Sequence, residues 1–286
     1  MTGSTLFSEA MALRQLADGV FAGALNEHWT IGPKVHGGAM LALCAGAARA
    51  AHGGAVQPVA VSASYLSAPA PGPMQLRTFV RKRGRTVSVV DVELIGGEHS
   101  TDGRAGVDNE ERKAAVHAVI TLGEPEHRAP PLLSANPVVA LMDPEPPSDA
   151  ASIGPGHPMA GLVNLAAGCD VRPLMSSVPT EGIPSDGRPP AIQMWVKPRG
   201  GAPDTLFALM CGDISVPVAF AVGRRGWAPT VQLTAYLRGV PADGWLRVLC
   251  TTTQIGRDWF DEDHIVVDAD GRIVAQTRQL ALVPSH

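Results

Sequence analysis

Hydrophobic and polar residues alternate along most of the chain in short runs, which is the pattern of half-buried β-strands. The runs are residues 18–29, 58–67, 74–82, 86–95 and 114–122, then 169–176 or 191–197, and finally 230–238, 245–254, 259–267 and 272–282. Pro and Gly residues separate the runs, as expected of turns. The pattern predicts two sets of consecutive antiparallel strands.

Two other segments carry apolar residues at helical spacing, one ahead of each strand set. The first is GGAMLALCAGAARAA, residues 37–51, whose many Ala and Gly residues allow another backbone to pack closely. The second is FALMCGDISVPVAF, residues 207–220, preceded by Pro203-Asp204 in the manner of a helix start. A helix followed by consecutive strands, given twice, predicts an α+β protein with two antiparallel sheets, each wrapped around a central helix.

Asp213 interrupts the apolar face of the second predicted helix. It follows Leu206, Leu209 and Met210 at helical spacing, so a helix would bury it. Pro217 has no N–H to donate to the carbonyl of Asp213, so the helix is predicted to kink or break at this acid. An unpaired buried carboxylate is costly. Asp213 is therefore either a structural residue bonded to backbone N–H groups or a candidate site residue.

The two strand sets can be overlaid on each other. Tyr65-Leu66 meets Tyr236-Leu237, and after one gap Gly84-Arg85 meets Gly256-Arg257. The overlay predicts an N-terminal domain of residues 1–125, a Pro-rich linker of residues 126–165 and a C-terminal domain of residues 166–286. The charged insert at 98–113 is expected to be a solvated hairpin loop.

Composition narrows the class of protein. Of the 286 residues, 45% are hydrophobic and 17% charged, and the net charge of −4 offers no footprint for nucleic acid. The four cysteines are far apart, which fits a reducing compartment and argues against structural zinc. Because neither a signal peptide nor an apolar run of membrane-spanning length is present, we expect a cytoplasmic protein without a membrane span.

The order of elements resembles that of the double-hotdog acyl-CoA thioesterases, in particular acyl-CoA thioesterase II, over nearly the whole chain. The resemblance is carried by VRPL at 171–174, QMWVKPRG at 193–200, GDISVPVAF at 212–220, the strand from Thr230, and DGRIVAQTRQ at 270–279. It implies two hotdog domains whose sheets join edge to edge. It also implies an enzyme of fatty acid metabolism that hydrolyses acyl-CoA without metal or cofactor. Because exposed strand edges and faces would remain, we expect assembly as a homo-oligomer, a dimer or higher.

The same resemblance implies three catalytic residues in the second hotdog. In that family a carboxylate, a threonine and a glutamine hold and activate a water, and the matching positions are Asp213, Thr230 and Gln279. Thioester hydrolysis requires a base for the water and donors for the oxyanion, which these residue types can supply. Strand alternation alone aligns Thr230 with Tyr236 and away from Leu233, so the pattern itself does not select Thr230.

The first copy has apolar residues where the second has this set. In the overlay Val59 meets Thr230 and the apolar position at Val119 meets Gln279, which predicts one active site per chain. VHGG, residues 35–38, resembles the His-Gly-Gly helix entry of single-hotdog thioesterases. It is interpreted either as a helix-entry turn with His36 exposed or as a substrate contact made by His36, Gly37 and Gly38.

Other reaction classes lack their residues. A hotdog dehydratase would place a histidine five residues after its acid, where this chain has Val218, and the G-x-S-x-G motif of serine hydrolases is absent. His264 lies in FDEDHIVVDADG, whose acids are interpreted as a solvated turn and hairpin, not as metal ligands. Two alternatives stay open: a non-catalytic hotdog protein that binds acyl-CoA or lipid, and an enzyme that acts on another thioester carrier.

Overall fold

The chain folds around one large antiparallel sheet, here in a computed structural model that describes residues 6–53, 55–97, 113–127, 129–178 and 188–285. Its strands are β1 (Arg14–Ala17), β2 (Val20–Leu25), β3 (Thr30–Ile31), β4 (Lys34–Val35), β5 (Gln57–Tyr65), β6 (Gly72–Lys82), β7 (Ser88–Gly96), β8 (Val116–Gly123), β9 (Cys169–Pro173), β10 (Ala191–Pro198), β11 (Thr230–Leu237), β12 (Leu246–Thr251), β13 (Trp259–Val267) and β14 (Ile273–Leu282). Twelve of them lie in the order β1-β2-β6-β7-β8-β5-β11-β14-β13-β12-β10-β9, and β3 and β4 form a separate hairpin.

This continuous sheet corrects the prediction of two sheets. The first half-sheet (β1, β2 and β5–β8) and the second half-sheet (β9–β14) are joined by antiparallel pairing of β5 with β11, from Ser64 opposite Gln232 to Ala60 opposite Tyr236. Joining removes two strand edges whose N–H and C=O groups would otherwise be unpaired. The predicted α+β class and the edge-to-edge contact agree with this arrangement.

The two longer helices pack against the sheet and against each other. The helices are α1 (Leu6–Ala10), α2 (Gly37–His52), α3 (Val138–Leu141) and α4 (Thr205–Cys211). Helix α2 contacts β2 and β5–β8, and α4 contacts β11 and β14. Ala and Gly dominate α2, which allows the α4 backbone to approach it. Among the described residues no helix is long and apolar enough to cross a membrane.

Helix α4 ends where the sequence predicts a break. Asp204 caps its start by accepting a hydrogen bond from the Phe207 N–H at 2.8 Å. The helix stops at Cys211, and after a turn through Asp213 the chain enters a 3-10 helix at residues 218–222, which Pro217 precedes. Asp213 therefore lies just beyond a helix end instead of inside a longer helix.

The strand registers correct the overlay of the two halves by one residue. Bulges fall at Val59, between Pro58 and Ala60 of β5, and at Val231, between Thr230 and Gln232 of β11. Matching the bulges makes Pro58 the counterpart of Thr230. Tyr65 then corresponds to the buried Leu237, and Tyr236 is 50% exposed, so the Tyr-Leu match is out of register.

The segment between the half-sheets is packed onto the protein. Val138 and Met142 are buried in one cluster with Trp195, and the Gly32 N–H donates to the Leu162 carbonyl at 2.7 Å. Residues 98–112 of the predicted hairpin insert lie outside the described residues.

Candidate active site

A cavity of about 680 Å³ lies where the start of α2, the turn after α4 and strands β11, β13 and β14 meet. Most of its wall is apolar, from residues such as Met40, Val216, Phe220, Trp227 and Phe260. Met159, Leu162 and Val163, from the segment between the half-sheets, also line it. The polar wall residues include His36, Asp213, Ser215, Thr230, Glu262 and Gln279. Residues of both halves of the chain thus line this cavity, and all three predicted catalytic residues are among them.

Asp213 is held against the start of α2. The Gly38 N–H donates to its carboxylate, so the acid receives a helix N-terminal amide. A Cβ on Gly37 would come within 2.6 Å of Asp213 Oδ2, and one on Gly38 within 2.5 Å of the Met210 carbonyl oxygen. Bare backbone at both positions therefore allows the turn after α4 to approach. Gly37 lines the cavity, whereas Gly38 lies behind Asp213 and outside the described cavity wall.

His36 contacts both the helix and the acid. Its Nδ1 accepts the Ala39 N–H at 3.2 Å and caps α2, which leaves the ring hydrogen on Nε2. Nε2 donates to the Asp213 carbonyl at 2.8 Å and lies 3.8 Å from Asp213 Oδ2. The helix-entry interpretation agrees with the cap, but the expected exposure is wrong: His36 is 4% exposed because the Asp213 turn covers it.

Burial sets the proton affinity of Asp213. Desolvation raises its pKa above the ordinary carboxyl value, and nearby His36 and the Gly38 N–H oppose this rise. A carboxyl group with a raised pKa holds a proton more readily than a solvated one. That property suits a general base which must accept a proton from water.

Thr230 and Gln279 are hydrogen-bonded to each other across neighbouring strands. The Thr230 hydroxyl donates to Gln279 Oε1 at 3.0 Å. Thr230 reaches this face because the bulge at Val231 shifts the register, so that Thr230 pairs with Ala281 while Leu233 pairs with Gln279. The alternation rule placed Thr230 on the opposite face, and one extra residue in the strand reverses that assignment.

Sequence reasoning missed a second buried carboxylate. Glu262 on β13 is 2% exposed; its Oε1 accepts the Val218 N–H at 2.7 Å, and its Oε2 accepts the Gln279 side-chain N–H. Burial raises the Glu262 pKa from 4.5 to about 8, with opposition from these two donors. The interpretation of the acids in this segment as solvated is wrong for Glu262, although Asp263 and Asp270 do reach the surface. Glu262 lies at even spacing from buried Phe260 and Val266, which places it on the inward face of β13. This alternation was the sequence signal that could have identified Glu262.

More polar residues form hydrogen bonds around the turn after α4, near Glu262. Ser215 Oγ and His264 Nε2 share a hydrogen bond of 2.9 Å, and the Thr277 hydroxyl donates to the Gly212 carbonyl. Cys250, Glu262 and His264 could each offer a ligand atom, all within 4.8 Å of one another. Both Glu262 carboxylate oxygens also accept hydrogen bonds from the protein.

Comparisons with known proteins agree with this architecture. The model of the acyl-CoA thioesterase N-terminal domain matches residues 25–123, and that of the acyl-CoA thioesterase C-terminal domain matches residues 140–283. An uncharacterized protein of Mycobacterium tuberculosis is 62% identical, over 99% of this chain and 100% of that protein.

Two solved structures share the fold. A Thermobifida fusca protein provisionally assigned as a thioesterase II superposes with a TM-score of 0.76 at 25% identity, over 98% of this chain and 97% of that one. An acyl-CoA thioesterase II of Mycobacterium marinum gives 0.67 at 16% identity, over 98% and 99%. The two domain models together cover most of the sequence. The chain belongs to the acyl-CoA thioesterase family and has its hotdog fold.

Proposed function

We propose that this protein hydrolyses acyl-CoA thioesters to a free fatty acid and CoA at the cavity that holds Asp213. The observation that carries the proposal is the Asp213 carboxylate, only 9% exposed at the start of α2, in the same apolar cavity as the hydrogen-bonded Thr230 and Gln279. A base, water-binding groups and an apolar wall are what thioester hydrolysis requires.

In the proposed reaction a water held by Asp213, Thr230 and Gln279 attacks the thioester carbonyl carbon. Asp213 takes one proton from the water as the new C–O bond forms. The C–S bond then breaks, and the departing thiolate receives that proton. The backbone N–H of Gly37, in the cavity wall at the start of α2, is the proposed donor to the oxyanion.

The surroundings suggest how the substrate lies. The wall beyond Asp213, which includes Met40, Val216 and Phe220, suits an acyl chain. We also propose that residues 1–125 and 166–286 form the two hotdogs and that residues 126–165 link them. The protein is proposed to act in fatty acid metabolism in the cytoplasm and to assemble as a homo-oligomer.

Release of free thiol from acyl-CoA of increasing chain length, followed with Ellman's reagent, tests the proposal. We expect saturable turnover whose optimum chain length reflects the cavity. A calorimetric titration with the same acyl-CoA series accompanies the assay. Saturable binding without turnover at any length would refute the enzyme and favour the acyl-CoA-binding alternative. Neither binding nor turnover would refute both.

A further inference from the structure

Glu262 lies one hydrogen bond behind the proposed catalytic set. The chain of contacts runs from the Val218 N–H to Glu262, from Glu262 to the Gln279 amide, and from that amide to the Thr230 hydroxyl. In this series of hydrogen bonds every donor is matched to one acceptor. Turning one side chain over would therefore break the hydrogen bond to its neighbour. We propose that Glu262 is a positioning residue: its carboxylate fixes which way the Gln279 amide points and thereby the direction of the Thr230–Gln279 hydrogen bond.

Ionised Glu262 only accepts hydrogen bonds, so the Gln279 NH₂ must face it and Gln279 Oε1 must face Thr230. Thr230 then spends its only hydroxyl hydrogen on Gln279, and its lone pairs are left to accept. The remaining Gln279 N–H is left to donate. Glu262 thus determines which groups act as acceptor and donor in the cavity.

The direction matters to an attacking water, and this step rests on the proposed function. With Glu262 ionised, the water donates to Asp213 and Thr230 and accepts one hydrogen bond from Gln279. One lone pair stays available for the carbonyl carbon. With the direction reversed, both Thr230 and Gln279 donate to the water, and both of its lone pairs are occupied. Only the first arrangement leaves the water nucleophilic.

Protonation of Glu262 is one way to reverse the chain. A protonated acid donates through one oxygen, which would turn the Gln279 amide over. The titratable groups around Glu262 are Asp213, from the turn after α4; Asp261 and His264, on β13; Cys250, on β12; and His36, beyond Asp213. Burial first, and then Asp213 and Asp261, raise the Glu262 pKa to about 8, so the reversal should fall within the working pH range.

Glu262→Gln imitates the reversed state, because the added NH₂ donates where a carboxylate oxygen accepts while the side-chain shape is kept. At a pH above the acid limb, where wild-type Glu262 is ionised, we expect kcat with acyl-CoA to fall by about 10- to 100-fold with KM within about twofold of wild type. The acid limb that Glu262 gives to the kcat profile should also be lost. Asp263→Asn, a neighbouring change on β13 whose partner is surface Arg278, is the matched control and should keep the wild-type rate.

A double-mutant cycle with Gln279→Leu asks whether Glu262 acts through Gln279. We expect the double variant to have the same kcat as Gln279→Leu alone. Wild-type kcat in Glu262→Gln, or losses that multiply in the double variant, would overturn the positioning role. These results would leave the proposed function intact, since that fails only if the wild-type chain shows no turnover.

A measurement on the unsubstituted chain covers the case in which Glu262→Gln does not fold. The side-chain amide resonances of Gln279 in ¹⁵N-glutamine-labelled protein can be identified by their loss in Gln279→Leu. We expect them to titrate with the same midpoint as the acid limb of kcat. Resonances that do not move across that limb would contradict the proposal.

Discussion

The two half-sheets share a backbone plan but differ in the layer that faces the helices. The register makes Pro58, Val90 and Ile120 the counterparts of Thr230, Glu262 and Gln279, and all three first-half residues are buried. At these three positions the second half-sheet has side chains linked by hydrogen bonds, while the first half-sheet has apolar side chains packed in the core. Polar residues on matched positions of one backbone therefore distinguish the candidate active half from the structural half.

The central helices of the two halves, α2 and α4, also differ, and the difference again concerns the candidate site. Helix α2 runs for 16 residues, whereas α4 stops after seven. Because α4 stops early, the chain can turn back and place Asp213 on the first turn of α2. The first half supplies a long helix with an available N-terminus, and the second half supplies the acid that meets it. Each half thus contributes to a single cavity.

Replacing Gln279 with leucine gives the second half the apolar character of Ile120. We expect Gln279→Leu to lower kcat by about 10²- to 10³-fold, because it removes the donor to the water and unpairs Thr230 and Glu262. The assay is thiol release from the best acyl-CoA substrate.

The reverse change, Ile120→Gln, is its control. It should create no activity in an otherwise inactive Asp213→Asn chain, and should lower the free energy of unfolding by about 1–3 kcal/mol because it buries an amide. Thiol release by that double variant would contradict the one-site comparison.

The contribution of Thr230 to kcat should come from its hydroxyl group alone. Thr230→Val keeps the shape and is expected to lose about 10- to 100-fold in kcat, whereas Thr230→Ser should stay within a few-fold of wild type. Equal rates for the two variants, measured under saturating acyl-CoA, would show that the bulge at Val231 presents Thr230 for packing only.

A variant at His36 can distinguish the role of this residue as the cap of α2 from a role in catalysis. Asparagine is also a good N-cap, so His36→Asn should keep the α2 cap, and the melting temperature should fall only by the effect of the lost Nε2 hydrogen bond. It cannot reach the Asp213 carbonyl as the imidazole Nε2 does, so kcat should fall by about tenfold. A stable variant with the wild-type rate would make His36 only the cap of α2, and the first half would then contribute no side chain to the chemistry.

Stability and turnover should change with pH in opposite directions. Glu262 has a folded-state pKa of about 8 against an ordinary value of 4.5, so between these values the folded protein binds more protons than the unfolded chain. The free energy of unfolding should therefore fall as pH rises through this window, while kcat rises. Thermal denaturation and thiol release at matched pH values check both trends. Glu262→Gln should have the shallower stability slope.

The sequence was informative where local rules decide the structure. The Ala-rich helix, the break before Pro217 and most of the strands follow from periodicity and from proline and glycine chemistry. The family resemblance brought Asp213, Thr230 and Gln279 to attention, and the structure places all three in one cavity.

Other features depend on contacts between distant parts of the chain. Nothing local marks the bulge at Val231 that turns Thr230 inward, nor the covering of His36 by the Asp213 turn. Glu262 was missed for another reason. Four charged or titratable residues in a row suggest solvent exposure, and only their alternation with Phe260 and Val266 reveals that two of them face the core.

The central claim is that Asp213, at the contact between the two halves, activates the water in the proposed active site. The most direct test is thiol release from acyl-CoA by wild type and Asp213→Asn, with melting temperatures to confirm folding. We predict that the folded variant loses about 10²- to 10⁴-fold in kcat while it still binds acyl-CoA. A folded Asp213→Asn protein with the wild-type rate would contradict the account.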